Sequence, residues 1–370
     1  MNSKPIKHRE PLVHIVKREG LPGWGAWLIR LAAIVLGLLV CGILAVLLTG
    51  NSLGDVYVAM FEGAFGRILQ GNTYTLWRFL QRTAILLCLA LGVTPAFRMR
   101  FWNCGAEGQA LAGGLAAMIC MIELGEKVPY PLLLVIIVVS SVLAGAIWGV
   151  IPALFHAKYK TNETLFTLMM NYVITQIVVF YIYRISAGSM VIQKEEHGNL
   201  PIIGGQKYLL NILIVAVLMV AVYIYMRYSK QGYEISVVGE SQNTARYVGI
   251  SVKKVIIRTM IISGAICGIA GMLMVAGTDH SINADTMDGQ GFTAIMVSWL
   301  GQFNPFIMAG ISGLLIFVKD GAGKVADRAM LNSSYCDIAC GIVILFLVGC
   351  EFFIQYSVRF RHSKKGGNKV

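Results

Sequence analysis

The chain has 370 residues, 56% of them hydrophobic and 14% charged, with a formal net charge of +12 and a mean hydropathy of +0.69. That composition lies outside soluble-domain usage, and no polar stretch is long enough to fold as a water-soluble domain. A single membrane domain with short tails is predicted.

The first 30 residues are polar and basic, with Lys4, Lys7, Arg9, Lys17, Arg18 and Arg30. They read as a tail (1–30) rather than a signal peptide, because the apolar run behind them is too long for an h-region. Apolar runs then follow at Leu31–Leu48, Thr83–Phe97, Gly108–Ile122, Val128–Phe155, Thr164–Tyr183, Tyr208–Met226, Thr259–Thr278, Gly289–Val318 and Ile338–Cys350. A hydrocarbon core of about 30 Å takes ~20 helical residues. Most runs approach that length, whereas Thr83–Phe97 and Gly108–Ile122 are short. Gly289–Val318 is too long for one span and carries Gly301, Asn304 and Pro305 in its middle. Divided there, the chain is predicted to be an all-α polytopic membrane protein of about ten transmembrane helices over 31–358, followed by a basic tail at 359–370.

With ten spans, the N-terminal tail, Lys158 and Lys160, the loop with Lys230, Arg246, Lys253 and Lys254, and the C-terminal tail fall on one side. The positive-inside rule makes that side cytoplasmic. Arg98 and Arg100 fall there too, and the loops at Thr49–Arg82 and Ile185–Lys207 face outward. The basic residues are scattered over four segments without interleaved aromatics, which argues against a nucleic-acid interface. The eight cysteines lie in or beside apolar runs without a CxxC pair, as buried small hydrophobes do.

Two polar interruptions stand out. The first is Phe101-Trp102-Asn103-Cys104-Gly105-Ala106-Glu107-Gly108-Gln109, between two short apolar runs. Polar groups near membrane depth face protein, a cavity or the interface, and a glycine-permitted helix break leaves backbone groups that need partners. Glu107 therefore either lines a cavity or caps a helix. The second interruption is Asp288-Gly289-Gln290-Gly291-Phe292, followed by Trp299 and Gly301-Gln302-Phe303-Asn304-Pro305. The pair lie in the front and back halves of the chain, as in transporters built from internal repeats. Gly145-Ala-Ile-Trp-Gly149 and Gly264-Ala-Ile-Cys-Gly268 add glycines one turn apart, the pattern of closely packed membrane helices.

No catalytic constellation, cofactor or metal site is predicted. Gly321-Ala-Gly323-Lys324-Val325 lacks the first glycine and the Ser/Thr of a phosphate loop, and the six histidines show no metal spacing. An active transporter without its own ATP site needs an ion gradient or an ATPase partner. The polar segment Gly239–Ile250, between two long apolar runs on the basic side, is predicted to be helical and to meet a partner.

Four segments carry a family resemblance. Asn103-Cys104-Gly105-Ala106-Glu107-Gly108-Gln109 resembles "N-I-G-A-E-G-Q", and Asn162-Glu163-Thr164-Leu165-Phe166-Thr167-Leu168-Met169-Met170-Asn171-Tyr172 resembles "N-E-V-I-x-T-L-M-L-N-Y". Val238–Ile250 is similar to "V-G-x-N-x-x-A-A-R-Y-A-G-I", and Gly289–Ile295 to "G-x-G-F-x-x-I". These are signatures of permease subunits in bacterial ABC importers for nucleosides and simple sugars, in the branched-chain amino acid/ribose permease superfamily. The resemblance runs from about Leu76 to Phe317. Cys104 replaces a usual Ile, Thr244 a usual Ala, and Trp299-Leu300-Gly301 a usual Ala-Leu-Leu-Gly.

The resemblance implies a type II importer permease fold with internal inverted repeats, in a bacterial plasma membrane, with both termini cytoplasmic. It also implies a cytosolic ABC ATPase, a second permease subunit that is a homologous sister chain, and an extracellular lipoprotein-type substrate-binding protein. The loop 228–254 then becomes a coupling loop, docking Glu240, Asn243, Arg246 and Tyr247 on the ATPase. Glu107, Asn171, Phe292, Trp299 and Gln302 become candidates for the substrate pathway. The competing reading is a stand-alone secondary transporter or channel for a small polar solute, with Glu107 as its ion or proton site.

Overall fold

The computed structural model describes residues 13–18, 23–66, 73–186, 192 and 195–360. Lys4, Lys7, Arg9 and the basic residues after Phe360 lie outside them. In chain order the elements are β1 (Val13–Lys17), α1 (Gly23–Thr49), α2 (Leu53–Phe65), α3 (Tyr74–Arg98), α4 (Ala106–Leu124), α5 (Tyr130–Tyr159), α6 (Glu163–Ile185) and α7 (Leu209–Tyr228). Two short helices follow, α8 (Lys230–Glu240) and α9 (Gln242–Tyr247), then α10 (Val252–Met274) with a π-helical turn at Val275–Asp279. The chain ends with α11 (Gln290–Leu300), α12 (Pro305–Ala329), α13 (Ser334–Gln355) and β2 (Tyr356–Phe360).

Among the described residues, nine helices are long and apolar enough to cross a membrane. The protein is a multi-pass, all-α membrane protein. The long run Gly289–Val318 is divided between α11, which ends at Leu300, and α12, which begins at Pro305. Pro305 lacks an N–H and suits a first helical position, where that donor has no intrahelical partner.

Two compact units make up the fold. In the first, formed by the chain ends (Met1–Ala59 and Val325–Val370), α1 packs on α13 and Arg30 pairs with Glu351 at 2.8 Å. Arg30 thus lies within α1, not in the tail. β1 and β2 form an antiparallel pair with Ile15 opposite Val358, an element with no signal in the apolar pattern.

In the second unit (Met60–Lys324), α10 packs on α3, α4 and α5. Helix α3 is buried on most sides, whereas α5, α6 and α7 bury one narrow face and expose the rest. The two glycine motifs meet: a Cβ at Gly145 would clash with the Gly264 carbonyl, and one at Gly264 with the Gly145 carbonyl. Only glycines let these backbones approach so closely, which is how membrane helices gain packing energy without a hydrophobic drive.

The segment Thr49–Arg82, expected to be an outer loop, instead contains α2 and the first turns of α3. Arg82 lies inside α3 because its guanidinium is paired with Asp320 of α12, whose side chain is only 2% exposed. A reading that ends spans at charges does not see a partner so distant in the chain.

Candidate functional site

The first interruption is a broken helix entry. After α3 the chain turns through Arg100, at φ 59°, and α4 starts only at Ala106. The break is bridged partly by backbone bonds, the Phe101 N–H to the Ala96 carbonyl and the Asn103 N–H to the Phe101 carbonyl, and partly by side chains. Thr167 Oγ1 accepts from the Cys104 N–H at 3.2 Å. Asn171 Nδ2 donates to the Cys104 carbonyl at 3.0 Å, and Asn171 Oδ1 accepts from the Gly108 N–H at 3.0 Å. Asn103 Oδ1 accepts from the Gly105 N–H at 3.1 Å and from Gln109 Nε2 at 3.1 Å, while Asn103 Nδ2 donates to Ser263 Oγ on α10 at 3.1 Å. Asn103, Gln109 and Ser263 are buried. Non-helical backbone at membrane depth is tolerated where protein satisfies it in this way. The two amides of the first motif and Asn171 of the second therefore hold the break together.

The second interruption meets the first. The Gly289 N–H donates to Glu107 Oε1 at 3.2 Å, and Gly291 lies against the Glu107 backbone, where a Cβ would come within 2.7 Å of its nitrogen. Gly289, at φ 69°, provides the left-handed turn that starts α11. Glu107 Oε2 is buried without a hydrogen-bond partner among the described residues. Beside it, Lys319 Nζ of α12 donates to Asp288 Oδ2 at 2.6 Å.

Helix α11 has only 11 residues, a length of about 16 Å, or half the hydrocarbon core. Its inner face, with Gly291, Ala294, Ile295, Val297 and Ser298, is buried. Ser298 Oγ lies 3.0 Å from Thr94 Oγ1 of α3. Its outer face presents Phe292, Met296 and Trp299, 48%, 41% and 47% exposed, at the i, i+4, i+7 spacing of one helical stripe. Trp102, from the first interruption, stacks on Trp299 with ring centroids 5.7 Å apart. Trp102 and Met296 thus join a surface to which the five pathway candidates contribute only Phe292 and Trp299. The signal for Met296 was its place one helical turn after Phe292. Trp102 had none, because its partner is remote in the chain.

Gln302 lies apart from that stripe. It and Phe303 take left-handed backbone at φ 49° and 60°. Gln302 opens into a pocket of about 380 Å³ with Arg98, Arg227, Tyr233 and Asn304.

The polar segment after α7 forms two capped helices, α8 and α9. Ser229 caps α8, accepting from the Gly232 N–H at 2.9 Å, and Ser241 caps α9, accepting from the Thr244 N–H at 3.2 Å. Glu234 of α8 accepts from Arg258 of α10 at 2.9 Å, and Arg98 at the end of α3 donates to Ser236 at 3.1 Å. Ala245 is buried beneath α9, while Glu240, Asn243, Arg246 and Tyr247 are exposed, Tyr247 to 92%.

The family model of the branched-chain amino acid transport system permease component matches residues 75–348. The chain belongs to this permease family. The permease is 29% identical over 353 residues to the guanosine ABC transporter permease protein NupP of Bacillus subtilis, covering 92% of this chain and 98% of that one. It is 26% identical over 368 residues to the glucose ABC transporter permease protein TsgB13 of Haloferax volcanii, covering 95% and 94%. It is 23% identical over 343 residues to the nucleoside ABC transporter permease protein NupB of Lactococcus lactis, covering 89% and 92%. It is a membrane-embedded transport subunit of the ABC type.

Proposed function

We propose that this permease forms the inward pathway for a nucleoside or simple sugar delivered by an extracellular lipoprotein-type binding protein and driven by a cytosolic ABC ATPase. The observation that carries the reading is the α11 surface. Trp102, Phe292, Met296 and Trp299 offer ring-stacking faces, with Glu107 and the Asp288–Lys319 pair at their head. Charged groups at the start of a helix only about 16 Å long are costly against lipid, which favours a water-lined setting for this face. Glu107, Phe292 and Trp299 line it in this proposal, with Asn171 bracing the break that carries Glu107 and Gln302 facing the adjoining pocket beyond the end of α11.

The relatives support the substrate class, since their names specify guanosine, glucose and nucleosides. They also support a sister permease. Bacillus subtilis has a second guanosine permease protein, NupQ, which is 24% identical to this chain over 251 residues. Both termini and the coupling loop 228–254 are assigned to the cytoplasm of a bacterial plasma membrane, with tails 1–30 and 359–370 around the permease domain 31–358. ATP hydrolysis belongs to the partner. A stand-alone transporter with Glu107 as its ion site has no support from the family or the relatives.

Titrating a panel of nucleosides, simple sugars and branched-chain amino acids into the cognate binding protein tests the substrate class. Nucleoside or sugar binding is expected. Selective binding of a branched-chain amino acid would overturn it.

A further inference from the structure

A pocket of about 320 Å³ lies between the end of α5, helix α9 and the first turn of α10, lined by His156, Lys160, Gln242, Arg246, Ser251 and Lys253 among others. Among the described residues, no carboxylate lines it. Lys160, Arg246 and Lys253 are exposed, and none forms an ion pair with a described residue. Glu163, at the start of α6, lies outside the lining, its Oε2 3.2 Å from His156 Nδ1, whose nearer partner is the Thr161 carbonyl at 2.8 Å. Three cations around one concavity repel each other unless an anion enters.

Two local features reinforce the positive field. Ser251 makes no side-chain cap on α10, so the first-turn N–H groups, those of the lining residues Val252 and Lys253 among them, keep the partial positive charge of a helix start. Lys160 caps α5 in the left-handed region, at φ 58° and ψ 32°, where glycine or asparagine is the ordinary choice. A lysine is thus held there at a conformational cost, beside the pocket.

The ligand's source follows from the adjoining face of α5. Phe155 and Tyr159 are 44% and 60% exposed, and Lys158 Nζ lies 4.9 Å from the centre of the Tyr159 ring. Exposed aromatics with a neighbouring lysine mark the headgroup level of a bilayer. Basic pockets between helices on the cytoplasmic side are suited to anionic headgroups.

We propose that this pocket binds the phosphate of an anionic phospholipid, with the acyl chains along the exposed face of α5, and that the lipid braces α9 against α5 and α10. Only its consequence for coupling rests on the function proposed above; the binding itself is read on the permease alone.

The test uses the full-length permease in nanodiscs of phosphatidylcholine with and without phosphatidylglycerol, reading bound lipid by native mass spectrometry and the apparent Tm. Wild type is expected to retain phosphatidylglycerol through detergent exchange and to melt higher in its presence. Lys160→Asn with Lys253→Gln should bind it on the order of tenfold more weakly or worse. Lys160→Asn alone should be at least as stable as wild type in phosphatidylcholine, because asparagine tolerates the left-handed backbone, which separates lost binding from misfolding. Equal retention by wild type and double variant would overturn the proposal. So would a Tm rise with inorganic phosphate alone equal to that with phosphatidylglycerol, which would assign the pocket to a soluble anion.

Discussion

Asn171 and Phe292 both sit in family-like motifs, yet their side chains have different surroundings. Asn171 spends both ends of its amide on the broken backbone at Cys104 and Gly108. Phe292 projects from a half-exposed stripe. Leaving a buried backbone donor or acceptor unmet costs about 1–3 kcal/mol each. Asn171→Leu should therefore lower the apparent Tm and the yield of folded protein, whereas Phe292→Leu should leave both nearly unchanged. Cysteines placed at 292 and 299, in a background without native cysteines, should react with a small water-soluble thiol reagent and be protected by substrate. A cysteine at 171 should stay unreactive. Equal labelling at 171 and 292 would show that the amide does not seal the break.

At the scale of helices, the α5–α10 crossing depends on glycine. Gly145, Gly264 and Gly268 contact each other's backbones with no room for a Cβ. Substituting a branched side chain forces the helices apart, and overpacking of a close-packed interior typically costs about 1–3 kcal/mol. Gly145→Val should thus lower the apparent Tm and widen this crossing, and Gly264→Val should do the same. Because the two positions share one contact, the double variant should lose less than the sum of the single losses. Full additivity in a double-mutant cycle would place the glycines in separate contacts. Helix α11 obeys a second element-level rule. Its short length follows from Gly289 and Pro305 bracketing it with the left-handed turn at Gln302 and Phe303.

For the molecule as a whole, the outgrowth α8–α9 is anchored at two points, Glu234–Arg258 to α10 and Arg98–Ser236 to α3. In the proposed function, this attachment to two core helices would pass displacement of the exposed end to the bundle. In the proposed complex, Arg246→Glu should reduce ATPase co-purification and substrate uptake while leaving membrane insertion intact, since a reversed charge at an interface costs affinity through repulsion. Unchanged ATPase recovery with unchanged uptake would remove Arg246 from the coupling contact.

Hydropathy by itself determined the membrane class and most of the spans, because the thickness of the bilayer imposes a length on every apolar helix. The excess length of the Gly289–Val318 run together with Gly301, Asn304 and Pro305 determined its division. The ordered motifs determined the family. The glycine spacing marked the helices that pack closely, since a residue without a side chain on a membrane helix face has few other uses. What the tertiary structure decided were the pairings between distant residues. Arg82 enters a span because Asp320 neutralises it, and Arg30 does so beside Glu351. Trp102 joins the α11 surface because Trp299 stacks on it, and Glu107 meets the Gly289 N–H, joining the two interruptions. Each of these depends on a partner far away in the chain, and local periodicity holds no information about such a partner.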